Sequence, residues 1–284
     1  MTGASPTVRQ RELGMRLRRL RTDLGLTVED VAQKLLCSAT KVSRAETGAR
    51  RPTLRDVRDL CDIYGLDAQQ TSEFMDLARK AREQGWWMQY DDLKLDTYIG
   101  LEQAASSITS YTMYYVPALL QTEAYAQAII EAIAPKMDPR IQKQRVEARI
   151  RRQKVLQQDN APRYRVLLDE AVLHRPVGGT ATMAAQLGRI LQVEREQATV
   201  QVIPFDIGAH AAQDSNFVLL EFTESEEMPP VVFVESLMTN LYQERRGEIA
   251  RYRESIEYLR DAALNPRESL QRISEMHDIY AGQH

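Results

Sequence analysis

The chain has 284 residues, 43% of them hydrophobic and 27% charged, which is enough to bury more than one core and excludes a disordered tail protein. No apolar run approaches the ~18 residues that span a bilayer, and Met1–Pro6 has neither the basic stretch nor the apolar core of a secretory signal, so a cytoplasmic protein with no membrane contact is expected. Cys37 and Cys61 are the only cysteines and have no histidine at ligand spacing, so neither a disulfide framework nor a zinc site is expected.

The net charge of −3 hides a division along the chain. Residues 1–60 hold 13 Lys or Arg against 7 Asp or Glu; residues 1–84 carry +4 and residues 85–284 carry −7. A basic small domain ahead of an acidic larger one points the first toward a polyanion. Leu13, Leu17, Leu20 and Leu24 share a helical face in the first segment, while Arg9, Arg11, Arg16, Arg18, Arg19 and Arg21 fill the rest. Gly25 stops that helix. Thr27 with Asp30 makes a capping box for a second helix bearing Val31, Ala32 and Leu35 inward. Ser38 caps a short polar third helix through Glu46, with Val42 and Ala45 inward and Gly48 ending it. Pro52 and Thr53 open a fourth helix bearing Leu54, Val57, Leu60, Cys61 and Tyr64; Asp67 with Gln70 caps a fifth bearing Phe74, Leu77, Ala78 and Ala81.

At GWWMQY, residues 85–90, the pattern breaks, and the adjacent tryptophans read as packing at a domain junction rather than as a stacking platform. Helices are then expected over Ile99–Tyr114, Gln121–Ile133 and Pro139–Gln157. The last is arginine-rich through Arg145, Arg149 and Arg152 and, with Glu147 and the glutamines around it, reads as an exposed face. Beyond Pro162 the period shifts toward two. Tyr164–Leu168, ATVQVIP, NFVLLEF and PVVFVES predict four strands, with a helix over Thr180–Gln197 completing a βαβ unit and a hairpin joining the last two strands. Helices over Leu241–Leu264 and Pro266–Tyr280 close the chain.

Residues 28–46 fit a helix-turn-helix, in which one helix braces the DNA backbone and the next enters a groove ~12 Å wide with side chains that hydrogen-bond. Ser38, Ala39, Thr40, Lys41, Ser43 and Arg44 meet that need, Arg44 as a guanidinium fork for guanine, while Arg50 and Arg51 in the following loop neutralise phosphates. CSATKVSRAETGARRP, residues 37–52, resembles the recognition segment of XRE, or lambda-repressor-like, helix-turn-helix domains. The resemblance implies a structural ion pair between Arg21 and Glu46 and a five-helix domain over residues 1–84. Three positions depart from the family pattern, one of them Val28, which stands where a polar residue often touches phosphate. Leu36 stands where the turn usually has glycine, which predicts strain of ~1 kcal/mol or more if φ is positive, and Ala45 replaces a larger aliphatic, leaving either a closer helix approach or a small void.

YYVPALLQTEAYAQAII, LLDEAVLHRPVGG, MAAQLGRIL, VQVIPFDIGAH and SNFVLLEF, in that order, resemble a domain of unknown function of the DUF5753 type, fused to such DNA-binding domains in actinobacterial antitoxin-like regulators. This implies that residues 85–284 form an α+β regulatory or interaction domain. An enzyme reading draws on Asp169, Glu170 and His174, and on His210 with Asp214 in a glycine-containing loop. Four histidines and the lack of HExxH, GxSxG, Walker and GxGxxG motifs weigh against it, so no catalytic residue, metal or cofactor is expected; His174 and His210 remain candidates for lining a ligand pocket.

The expected protein is therefore α+β overall, with an all-α five-helix N-terminal domain and a larger helix-rich domain around a small mixed sheet of about four strands. It is expected to be a sequence-specific, double-stranded-DNA-binding transcription regulator whose C-terminal domain dimerises and binds a small partner protein or a small-molecule effector. An effector-sensing regulator without a protein partner, and an enzyme with a DNA-binding appendage, are the alternatives.

Overall fold

The computed structural model of the protein describes residues 6–90, 95–193, 198–223, 228–236 and 239–282. These residues divide into two units, one holding the chain up to Met88 together with Asp96–Ala104, the other built on Ala105–Phe222 and the chain from Pro229 onward.

The first unit starts with five helices: α1 (Pro6–Asp23), α2 (Val28–Lys34), α3 (Ala39–Glu46), α4 (Leu54–Ile63) and α5 (Ala68–Lys80). Their starts follow from local chemistry. Thr27, Thr53 and Asp67 each form a capping box with the residue three places on, and the Ser38 hydroxyl accepts from Lys41 N at 3.2 Å. Leu13, Leu17, Val31, Ala32, Val42, Val57, Leu60, Cys61, Tyr64, Met75 and Ala78 form one core. Leu24, assigned to the face of the first helix, instead lies one residue past its end and is 51% exposed.

The Ala45 question resolves mainly toward close approach. A β-carbon on Gly14 of α1 would lie 2.6 Å from the carbonyl oxygens of Ala45 and Glu46, so α1 and α3 meet backbone to backbone there. A residual void of about 10 Å³ remains, lined by Leu35, Val42, Ala45 and Leu60 among others. Trp86 and Trp87 lie in a short 3-10 turn, edge to face at 5.9 Å, and Trp87 is buried. A further helix, α6 (Asp96–Glu102), packs on α1: Gly100 meets the Thr7 side chain so closely that any β-carbon would collide with it.

The second unit is a six-stranded sheet with helices. About four strands were expected; the structure has β1 (Ser107–Thr112), β2 (Arg163–Asp169), β3 (Ala198–Ile203), β4 (Phe217–Glu221), β5 (Val231–Glu235) and β6 (Asn240–Gln243), in the order β3-β2-β1-β4-β5-β6. β1 lies inside the stretch read as a helix over Ile99–Tyr114, and β6 occupies the predicted start of the helix from Leu241. β1 is the central strand and is buried on both sides from Ile108 to Thr112, so its sequence SITSYT shows no alternation of polar and apolar residues. β6 is a four-residue edge strand, too short to establish a period.

β1, β2 and β3 are parallel; β4, β5 and β6 continue antiparallel from β1, with Tyr111 opposite Phe217 and Val166 opposite Val200. The predicted βαβ unit is β2, α10 (Thr180–Val193), β3, preceded by the single-turn α9 (Ala171–His174). α7 (Glu123–Ile133) and α8 (Pro139–Arg152) pair with each other, and buried Gln186 of α10 bonds Thr122 N and Leu120 O, fixing the approach to α7. α11 (Arg246–Ala262) sets Ile249, Ile256 and Leu259 against Tyr111, Leu167, Phe217, Leu219, Val232 and Val234 of the sheet. α12 (Pro266–Ala281) packs on α10 and β3, and the edge of β3 is closed by Leu264 N to Val202 O and Val202 N to Ser269 Oγ, both 2.9 Å. The arginine-rich helix α8 is not a solvated face: Val146, Ala148 and Arg152 are buried.

Candidate nucleic-acid interface

α2, a four-residue turn and α3 form the helix-turn-helix. Leu36 in the turn has φ 52°, the one positive φ at a non-glycine among the described residues, and its side chain is 93% exposed. The Ser38 cap then sets the direction of α3. Val42, Ala45 and Glu46 face inward, which leaves Thr40, Ser43, Arg44 and Thr47 exposed at i, i+3, i+4 and i+7, one continuous stripe. Ser38 and Arg44 are exposed, and Ala39 is partly buried against the core.

The buried side of α3 is anchored by charge. Arg21 of α1 grips Glu46 with two bonds, Nε to Oε1 at 2.6 Å and Nη2 to Oε2 at 2.9 Å, and its Nη1 donates to Leu26 O at 2.8 Å. This is a bidentate, charge-assisted pair, and its hydrogen bonds raise the Arg21 pKa above the usual arginine value despite burial. Tyr64 lies beside it; burial, then the Glu46 charge, push its phenol well above the usual tyrosine range.

Lys41 is placed differently from the other predicted DNA contacts. Its Nζ meets Asp56 Oδ1 at 2.7 Å, bracing α3 on the first turn of α4. Burial alone would raise the Asp56 pKa, but the Lys41 ammonium and the Thr53 amide and hydroxyl reverse this and hold it below the usual carboxylate range. Arg50 and Arg51 are exposed in the loop after α3; Arg50 N bonds Arg44 O at 2.9 Å, and Arg51 Nε donates to Gln10 Oε1 at 2.7 Å while Gln10 Nε2 donates to Gly48 O at 2.6 Å. Gln10, Asp56 and Thr47 were not identified from the sequence. Thr47 was within reach, since it extends the 40, 43, 44 stripe by one turn; the other two act across tertiary contacts.

In the second unit, the structure ties the two candidate pocket histidines to consecutive residues at the end of β2. His174 is exposed, stacks on Phe205 at 5.4 Å and has Nε2 3.6 Å from Glu170 Oε1. Glu170 is buried, bonds Arg272 of α12 and accepts from Phe205 N at 2.9 Å; burial would raise its pKa, and these partners bring it below the usual range. The His210 side chain is buried; its Nε2 lies 3.3 Å from Tyr111 Oη and 4.0 Å from Asp169 Oδ2, and its Nδ1 accepts from Ala212 N at 3.4 Å. The carboxylate facing His210 is thus Asp169. Among the described residues no group of three or more His, Cys, Asp or Glu is placed to hold a metal ion, and no helix is long and apolar enough to cross a membrane.

A family model described as a helix-turn-helix domain matches residues 12–74, and one described as a domain of unknown function, DUF5753, matches residues 95–275. No curated protein and no solved structure matches the chain.

Proposed function

The chain belongs to the DUF5753 family and carries a helix-turn-helix domain ahead of that family's domain, and from this pairing we propose that it is a cytoplasmic, sequence-specific transcription regulator of the XRE kind acting on double-stranded DNA. The observation that carries the proposal is the exposed stripe Thr40, Ser43, Arg44 and Thr47 on a helix whose opposite side is locked to α1 and α4. A helix of ~10–12 Å overall diameter fits a major groove of ~12 Å, and short hydroxyl side chains beside one arginine offer base edges hydrogen bonds without bulk. Ser38 and Ala39 enter the groove at the helix start, Arg44 reads a base, and Arg50 and Arg51 hold phosphates. Lys41, held by Asp56, supports the reading helix and adds positive potential. Residues 1–84 are the DNA-binding domain and residues 85–284 the regulatory domain.

One recognition helix covers few base pairs, so genomic specificity calls for two half-sites ~34–36 Å apart and a two-fold symmetric dimer. The C-terminal domain supplies dimerisation and the binding of a small partner protein or effector. The test is recovery of genomic DNA fragments on the purified protein, followed by titration of the recovered operator. Arg44→Ala weakens operator binding by ~1–3 kcal/mol and relaxes preference at one base pair, whereas Arg50→Ala weakens all duplexes alike and lowers the salt slope by about 1. Equal losses on operator and random duplex in Arg44→Ala would remove it as the base reader.

A further inference from the structure

α8 carries Arg145, Arg149 and Arg152 at i, i+4 and i+7, a single helical stripe. A solvated stripe would be exposed. Here Arg152 is 7% exposed and the other two are half-buried. Around Arg149 stand residues from three other places in the unit: Tyr115 after β1, Gln121 before α7, and Glu235 at the end of β5. The Tyr115 loop is fixed by Thr112 Oγ1 donating to Tyr115 O at 2.8 Å, and Gln121, 1% exposed, is fixed by Nε2 donating to Val116 O at 2.6 Å.

The partners of Arg149 do not match its charge. Its Nη1 donates to Gln121 Oε1 at 3.2 Å, a neutral acceptor. Glu235, whose charge acts on Arg149, lies exposed and accepts from Tyr115 Oη at 3.4 Å. Burial, then the charge of Arg152, lower the Arg149 pKa from the usual arginine value; Tyr115 and Glu235 offset only part of this, and Arg145 adds to it. A guanidinium in this setting costs stability, and an apolar or neutral side chain of similar size would serve a purely structural role as well or better. Its planar fork is matched by an oxyanion, which takes two parallel hydrogen bonds and supplies the missing charge.

We propose that Arg149 of α8, its guanidinium oriented by Gln121 Oε1, binds the oxyanion group, carboxylate or phosphate, of a small-molecule effector. This deepens the effector reading of the C-terminal domain and rests on it. Gln121, itself fixed on Val116 O, sets the direction of the guanidinium. The Glu235 carboxylate, at the exposed end of β5, is screened by solvent and leaves the oxyanion as the dominant partner of Arg149.

The test is thermal unfolding of the full-length protein without DNA, at constant ionic strength, with sodium phosphate or sodium citrate replacing chloride. The wild type gains roughly 3–6 °C at about ten times the dissociation constant, and the anion giving the larger gain identifies the oxyanion. Arg149→Gln and Arg149→Lys lose the gain, the second because it keeps the charge and lacks the fork, while Arg44→Ala retains it. In chloride, Arg149→Gln unfolds no lower than the wild type, which separates a ligand site from a structural brace. No gain with either anion, a gain that survives in Arg149→Gln, or a marked fall of its chloride baseline would overturn the proposal. Loss of the anion effect with operator recovery intact removes the site alone; failed operator recovery with the anion effect intact removes the regulator reading alone.

Discussion

Leu36→Gly tests whether the helix-turn-helix carries local strain. At φ 52° a leucine holds its β-carbon against the following carbonyl, at a cost of ~1–2 kcal/mol. The side chain is 93% exposed, so removing it forfeits less than a tenth of the ~1.5–3 kcal/mol that a fully buried leucine contributes, about 0.1–0.2 kcal/mol. Glycine gives back ~0.5–1 kcal/mol through its freer unfolded chain. The net is a gain of about 0.5 kcal/mol, which slows exchange of globally protected α2 and α3 amides roughly twofold in the full-length protein. Leu36→Ala is the control: it removes the same side chain beyond Cβ and keeps the strain, so it shows no gain. Faster exchange in Leu36→Gly than in the wild type, or equal gains in both variants, would refute the strain argument.

Gly14→Ala forces a β-carbon to 2.6 Å from two carbonyl oxygens of α3 and costs ~1–3 kcal/mol, read as a lower denaturation midpoint at unchanged slope; an unchanged midpoint would mean the helices have slack. Because the folded pKa of Asp56 is depressed, its contribution is complete above the unfolded carboxylate value of ~3.9 and is lost as pH falls through the folded value. The stability gap between wild type and Asp56→Asn therefore narrows below about pH 4, and a gap constant from pH 6 to pH 3 would contradict the Lys41 pairing. Tyr111→Phe removes the hydroxyl facing buried His210 and costs ~1–3 kcal/mol in the second unit, measured by exchange of β1 and β4 amides; no change there would show that the contact carries little energy.

What was legible in the sequence is what local chemistry determines. Thr27 with Asp30, Ser38, and Asp67 with Gln70 state helix starts within four residues, and the structure places caps at each of them. The exposed and buried sides of α3 follow from the same short range. β1 was illegible because a central strand shows its nature only beside its neighbours: Ser107–Thr112 pairs with Arg163–Leu168 on one side and Phe217–Glu221 on the other, both far along the chain. The side chains of Thr109, Ser110 and Thr112 are buried hydroxyls where a buried strand usually has aliphatics. The tie of Lys41 to Asp56 was out of reach in the same way, since its partner lies fifteen residues on, in the next helix. α8 misled because amphipathic reading sends every arginine outward, whereas Arg152 is buried and Gln121, from outside the helix, accepts from Arg149.

The DNA-reading role proposed for α3 requires so short a helix to be held in place. α3 has eight residues, fewer than an isolated helix needs to persist in water. It is instead held from every side that does not face outward: Arg21 on Glu46, Gly14 under Ala45, Lys41 on Asp56, and Gln10 joining Gly48 to Arg51. Each tie comes from α1 or α4 and none uses Thr40, Ser43 or Thr47, so fixing the helix leaves the outward stripe available. A surface ordered before it meets its ligand loses little conformational entropy on binding. Specificity from a few short side chains depends on that order, because a hydroxyl displaced by an ångström no longer reaches a base edge. On the proposed function, the residues that order the reading helix therefore lie mostly outside its outward stripe, and a variant at Gly14 or Asp56 is expected to reduce operator binding more than its effect on charge alone would suggest.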